Sequence, residues 1–98
     1  MAIEYKLKLN KNILNKDIVN LYNLIKLNIS SDVKTNALDT IWIPYEETKW
    51  GDNFLLDFKD NKQEGYLYID TDRSFRQKIL NLIKSFLNSD YELIMEEY

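Results

Sequence analysis

Thr40 to Asp72 reads TIWIPYEETKWGDNFLLDFKDNKQEGYLYIDTD, and the parsing of this stretch decides the fold. It holds both tryptophans, the only proline and both glycines of the chain. Ile41, Ile43 and Tyr45 alternate with Trp42 and Pro44, which predicts a strand over about 39–45, because side chains of extended backbone point to opposite faces in turn. Proline has no N–H for a ladder, so Pro44 marks an edge, a bulge or the strand's end. Glu46 to Asn53 reads as a turn region, with Gly51, Asp52 and Asn53 supplying residues tolerant of positive φ. Phe54 to Lys59 is then a strand, Asp60 to Gly65 a turn and Tyr66 to Asp70 a third strand. Two adjacent hairpins of this kind make an antiparallel meander.

Outward toward the N-terminus, the period changes. Residues 30–38, SSDVKTNAL, are a polar loop. Before them, Leu14, Ile18, Leu21, Tyr22, Ile25 and Ile29 recur at spacings of three and four, which predicts an amphipathic helix over 15–29. Asn12 or Asn15 is its expected N-cap, with Asp17 in the first turn. Residues 2–9 alternate again, Ile3, Tyr5, Leu7 and Leu9 against Glu4, Lys6 and Lys8, as a strand with one wet face. Toward the other end, Thr71 or Asp72 caps a second helix over 73–88, whose apolar stripe is Phe75, Ile79, Leu82, Ile83, Phe86 and Leu87. Tyr91 to Glu97 closes the chain as a last strand.

The predicted order is β-α-β-β-β-α-β. Each helix carries a single apolar stripe, so both are expected on one face of a mainly antiparallel sheet. That is an α+β two-layer sandwich, with a ferredoxin-like split βαβ arrangement plus one added strand as its expected form. Residues 1–98 are read as a single domain, since 98 residues leave no room for a second core.

Composition narrows function chiefly by exclusion. With no histidine and no cysteine, the commonest general base, the thiolate nucleophile and most transition-metal ligands are missing. The serines have no histidine partner, and no glycine-rich phosphate cradle is present. No catalytic, cofactor or metal residue is therefore assigned, and the chain is expected not to be an enzyme. An Mg²⁺-dependent nuclease or phosphatase using Asp57, Asp70 and Asp72 is the one enzymatic alternative, against which stands the use of Asp72 or Thr71 as a helix cap. No apolar run approaches the ~20 residues that span a bilayer, and MAIEYKLKL lacks the features of a signal peptide. A reducing cytoplasm is the expected compartment.

What remains is a surface. Asp39 to Asp72 carries nine acids against three lysines, a local charge of −6, whereas residues 1–38 carry +3 and residues 73–98 balance. The pI near 4.9 argues against free nucleic acid as the partner, and the same acids argue against base stacking on Tyr66 and Tyr68. If the helices cover one sheet face, the polar sets of the strands lie on the other. That places Trp42, Asp57, Tyr66, Tyr68, Glu92 and Glu96 on one exposed surface, with Tyr45, Glu46, Glu47, Trp50 and Asp52 at its rim. Aromatic rings bury large area with few rotamers lost, and carboxylates steer a basic partner. Trp42, Tyr45, Glu46, Glu47, Trp50, Asp52, Asp57, Tyr66 and Tyr68 are thus the expected partner-binding residues, and a basic toxin nuclease or nucleic-acid-handling protein the expected partner of a monomer or homodimer. In size, acidity, lack of cysteine and α+β class, the chain resembles in kind the immunity proteins of bacterial toxin–immunity pairs. A phage-encoded anti-CRISPR or DNA-mimic inhibitor is the alternative of the same physics.

Overall fold

The computed structural model describes residues 2–44 and 52–98, with Asp52 described by its backbone alone. Alternation builds the sheet as expected. Strands β1 (Ile3–Leu9), β2 (Lys34–Thr35), β3 (Thr40–Pro44), β4 (Asp52–Asp57), β5 (Glu64–Ile69) and β6 (Leu93–Glu97) form one antiparallel sheet in the order β2-β3-β4-β5-β1-β6. Helix α1 (Asn15–Asn28) links β1 to β2, and α2 (Arg73–Asp90) links β5 to β6. Strands β4-β5-β1-β6 with the two helices follow the strand order of a ferredoxin-like split βαβ sandwich, and β2 and β3 extend it beyond β4.

The core is where the stripes meet. Ile18, Leu21 and Ile25 of α1 and Ile79, Ile83 and Leu87 of α2 are fully buried against Leu7, Ile41, Phe54, Leu56, Leu67 and Ile69 of the sheet. Both helices therefore lie on one face, and each such side chain contributes about 1.5–3 kcal/mol through the water it leaves. Gly65 serves this layer by lacking a side chain: a Cβ there would lie 2.6 Å from the ring of Phe58, which is itself fully buried.

Several local expectations need correction, beginning with β4 and β5, which start at Asp52 and Glu64, each two residues before its expected start. The loop at 30–38 contains β2, so the order is β-α-β-β-β-β-α-β and two strands are added rather than one. Here the Asn36 Oδ1 accepts the backbone N–H groups of Leu38, Asp39 and Thr40, each at 3.0 Å, and Ala37 takes a positive φ of 63°. That side-chain-built turn folds the chain back onto β3, and two residues are too few to leave a periodic signal. Neither Asn12 nor Asn15 caps α1. Leu14 is the N-cap and has no side-chain cap bond; its N–H is taken by the Tyr91 hydroxyl at 3.2 Å. Finally, α2 runs on to Asp90, and Tyr91 is its C-cap with its N–H on the Leu87 carbonyl, so β6 starts two residues later than expected. Asp72 caps α2 as expected, its Oδ1 accepting the Phe75 N–H at 2.8 Å. Pro44 ends β3, with a register shift between Ile43 and Pro44.

Candidate functional site

The sheet face turned away from the helices is built by register. One row crosses it as Lys34, Trp42, Leu55, Tyr68 and Glu4, each directly opposite the next on the neighbouring strand. A second row runs Thr40, Asp57, Tyr66, Lys6 and Glu96. A third runs Glu64, Lys8 and Ile94. Trp42, Leu55, Tyr66 and Tyr68 are half-buried by their neighbours alone, whereas Ile41, Leu56 and Leu67, pointing the other way from the same strands, are fully buried. Alternation thus sets an aromatic and aliphatic centre on an uncovered face.

Polar groups tie the centre down. The Tyr66 hydroxyl donates to Glu4 Oε1, and its ring sits 6.3 Å from that of Tyr98. Burial first, and then the bond to the Glu4 carboxylate, push the Tyr66 hydroxyl up to about 12, so it is a neutral donor at physiological pH. Asp57 accepts the Lys59 N–H at 2.7 Å and stands 3.4 Å from the Thr40 hydroxyl. Asp39, beside this row, is held below the usual carboxylate range by the Asn36 amide, with the Thr40 hydroxyl and the Lys62 ammonium adding and burial opposing. Trp42, Leu55, Thr40, Asp57, Asn36 and Lys59 line a depression of about 340 Å³.

The face brings together five of the six residues expected on it: Trp42, Asp57, Tyr66, Tyr68 and Glu96. Glu92 is exposed in the turn before β6, with its N–H on Asn10 Oδ1. Tyr45, Glu46, Glu47 and Trp50 lie outside the described residues, as does the side chain of Asp52. Sequence reasoning passed over Leu55, the centre of the first row, although it alternates in step with Asp57. It also passed over the balance of charge. Lys6 pairs with Glu64 and Lys8 with Glu96, each at 3.7 Å, so the four carboxylates in the three rows stand against three lysines. The face is mixed in charge, and the local −6 of the meander does not fall on it as a uniform acidic field.

Among the described residues, no group of three or more acidic side chains is placed to hold a metal ion. Asp57 and Asp72 are committed to the backbone bonds given above. Among the described residues no helix is long and apolar enough to cross a membrane. No family model, curated protein or solved structure matches the chain.

Proposed function

We propose that this protein is a non-enzymatic binding protein that covers and neutralises a basic protein partner with the open face of its sheet, in the manner of an immunity protein for a bacterial nuclease toxin. The observation that carries this reading is the contiguous row Trp42, Leu55 and Tyr68, with Tyr66 beside it, on a face the helices leave uncovered. Tyrosine and tryptophan concentrate binding energy because they bury much area at low entropic cost. The lysine–glutamate pairs around them form a polar rim that sets register more than affinity. Acids of the meander outside the rows, among them Asp60 on its second turn, give the partner its sign. A reducing cytoplasm is the proposed compartment, in keeping with a chain that has no cysteine.

The test is capture of the partner from the native host, followed by affinity measurement at two salt concentrations with the wild type and with the double variant Trp42→Ala, Tyr68→Ala. The reading expects at least a tenfold loss of affinity in the variant, roughly 1.4 kcal/mol or more, and weaker wild-type binding at the higher salt. Equal binding by the variant and the wild type would overturn it.

A further inference from the structure

The two edges of the sheet differ in kind. The β2 edge is two residues long, a length that gives an incoming strand almost nothing to pair with. The β6 edge is five residues long, contains no proline, and keeps one register with β1 throughout. Its hydrogen-bonding phase follows from the bond of the Tyr98 N–H to the Glu4 carbonyl. In an antiparallel ladder bonded and non-bonded pairs alternate. Ile94, Glu96 and Tyr98 therefore spend their backbone groups on β1, while Leu93, Met95 and Glu97 turn theirs outward. Among the described residues, none bonds the outward N–H groups of these three.

We propose that the β6 edge is a second docking surface, which accepts an extended, basic strand of a protein partner by adding it to the sheet. Backbone pairing to Leu93, Met95 and Glu97 supplies the attachment, and side chains across the new pair select the partner. The segment from Tyr91 to Tyr98 carries Glu92, Glu96 and Glu97 and no basic residue. An incoming strand with lysine or arginine opposite Glu96 and Glu97 gains an ion pair with Glu97 and shares Glu96 with Lys8, and apolar residues further along meet the exposed Ile94 and the Tyr98 ring. A second copy of this chain is the poorer occupant. Antiparallel pairing about Met95 sets Glu96 against the copy's Ile94 and Glu97 against its Leu93, with no ion pair formed. The acids thus act against self-pairing and for a basic strand. This proposal extends the basic-partner reading above but stands on a different surface and is tested without the partner.

The probe is a synthetic peptide, Thr-Tyr-Lys-Arg-Val-Val-Val-Thr with blocked ends, and a control with glutamates in place of the lysine and arginine. Amide hydrogen exchange of the whole chain is read residue by residue. In the free protein the Ile94, Glu96 and Tyr98 amides exchange slowly and those of Leu93, Met95 and Glu97 fast. Saturating basic peptide is expected to slow the latter three at least tenfold, and the acidic control to leave them unchanged. Met95→Pro removes an outward N–H, a loss tolerated at an edge whose N–H faces solvent, together with a side chain partly packed on the core, and is expected to abolish the peptide's effect. If that variant fails to fold, Glu96→Lys with Glu97→Lys serves instead, and is expected to reverse the preference between the two peptides. The double variant Trp42→Ala, Tyr68→Ala keeps peptide binding, which separates this edge from the open face. No protection at millimolar basic peptide, equal protection by the acidic one, or protection that grows with protein concentration alone would each overturn the proposal.

Discussion

The two faces of the sheet are cut from the same strands, and they differ in what one residue's shift along the chain brings into contact. Ile41, Leu56 and Leu67 form a cross-strand row beneath the helices and see no water. Trp42, Leu55 and Tyr68, one position away on each strand, form the parallel row on the other face and are only partly buried. The first row is stabilised by what the chain itself supplies. The second has comparable apolar size and no such cover. Burial, more than residue type, therefore separates the part of the sheet that holds the fold from the part left for another molecule.

This contrast can be broken experimentally, and the largest effect belongs to the covered face. Phe54→Ala removes a fully buried ring and is expected to cost about 3–5 kcal/mol in denaturant unfolding. Gly65→Ala acts on the same face by overfilling it. The new methyl meets the Phe58 ring at 2.6 Å, and the displacement is expected to cost about 1–3 kcal/mol, which Phe58→Leu in the same chain should partly relieve.

Alkali tests how the helix layer is closed at its end. The buried Tyr91 hydroxyl donates to Asp17 Oδ2 and accepts the Leu14 N–H. Burial first, and then the Asp17 bond, push it up to about 12. The folded chain keeps a proton that the unfolded chain releases from about pH 10. Between about pH 10 and 12 the native state binds more protons, so stability falls as pH rises through that window, by about 1–2.5 kcal/mol. Tyr91→Phe should remove its share of this slope, leaving that of Tyr66, which is likewise pushed up to about 12, and, at neutral pH, cost about 1–3 kcal/mol by leaving the buried Asp17 without its donor. Unfolding midpoints at pH 8, 10 and 11 for both proteins check the sign. Asp72→Ala, which frees the Phe75 N–H at the start of α2, should cost about 1 kcal/mol. The smallest effect sharpens the contrast from the open side. Tyr68→Ala is expected to change stability by less than about 1 kcal/mol while weakening partner binding about tenfold. A cost above 3 kcal/mol would show Tyr68 to be core after all.

Much of this was legible in the residues, and the parts that were not were hidden for separate physical reasons. Alternation in 2–9, 54–59 and 66–70 and the stripes of the two helices are many-residue signals, and each of those elements forms, with β4 and β5 starting two residues early and α2 running two residues on. β2 depends on three short-range bonds to one side chain, and the start of α1, which has no side-chain cap, on a contact from a residue 77 positions away. Lys34 and Thr35 become a strand because Asn36 turns the chain, and the Leu14 N–H before α1 meets the Tyr91 hydroxyl, a partner that nothing in the local sequence announces. Charge failed differently. A net count over Asp39 to Asp72 cannot foresee that Lys6 and Lys8 of β1 will lie among those acids once the sheet closes.

Strand β1 lies between β5 and β6, the two strands farthest from it along the chain. Its inner position means that nothing close in sequence can satisfy it. During synthesis it must wait, alternating and unpaired, until β5 has emerged, while the β2-β3-β4-β5 meander can zip locally. Contacts of such long separation slow folding toward the millisecond-to-second range. The order of events is then set by topology: a ribosome-borne intermediate would hold the meander first and gain β1, and with it the link to β6, near the end.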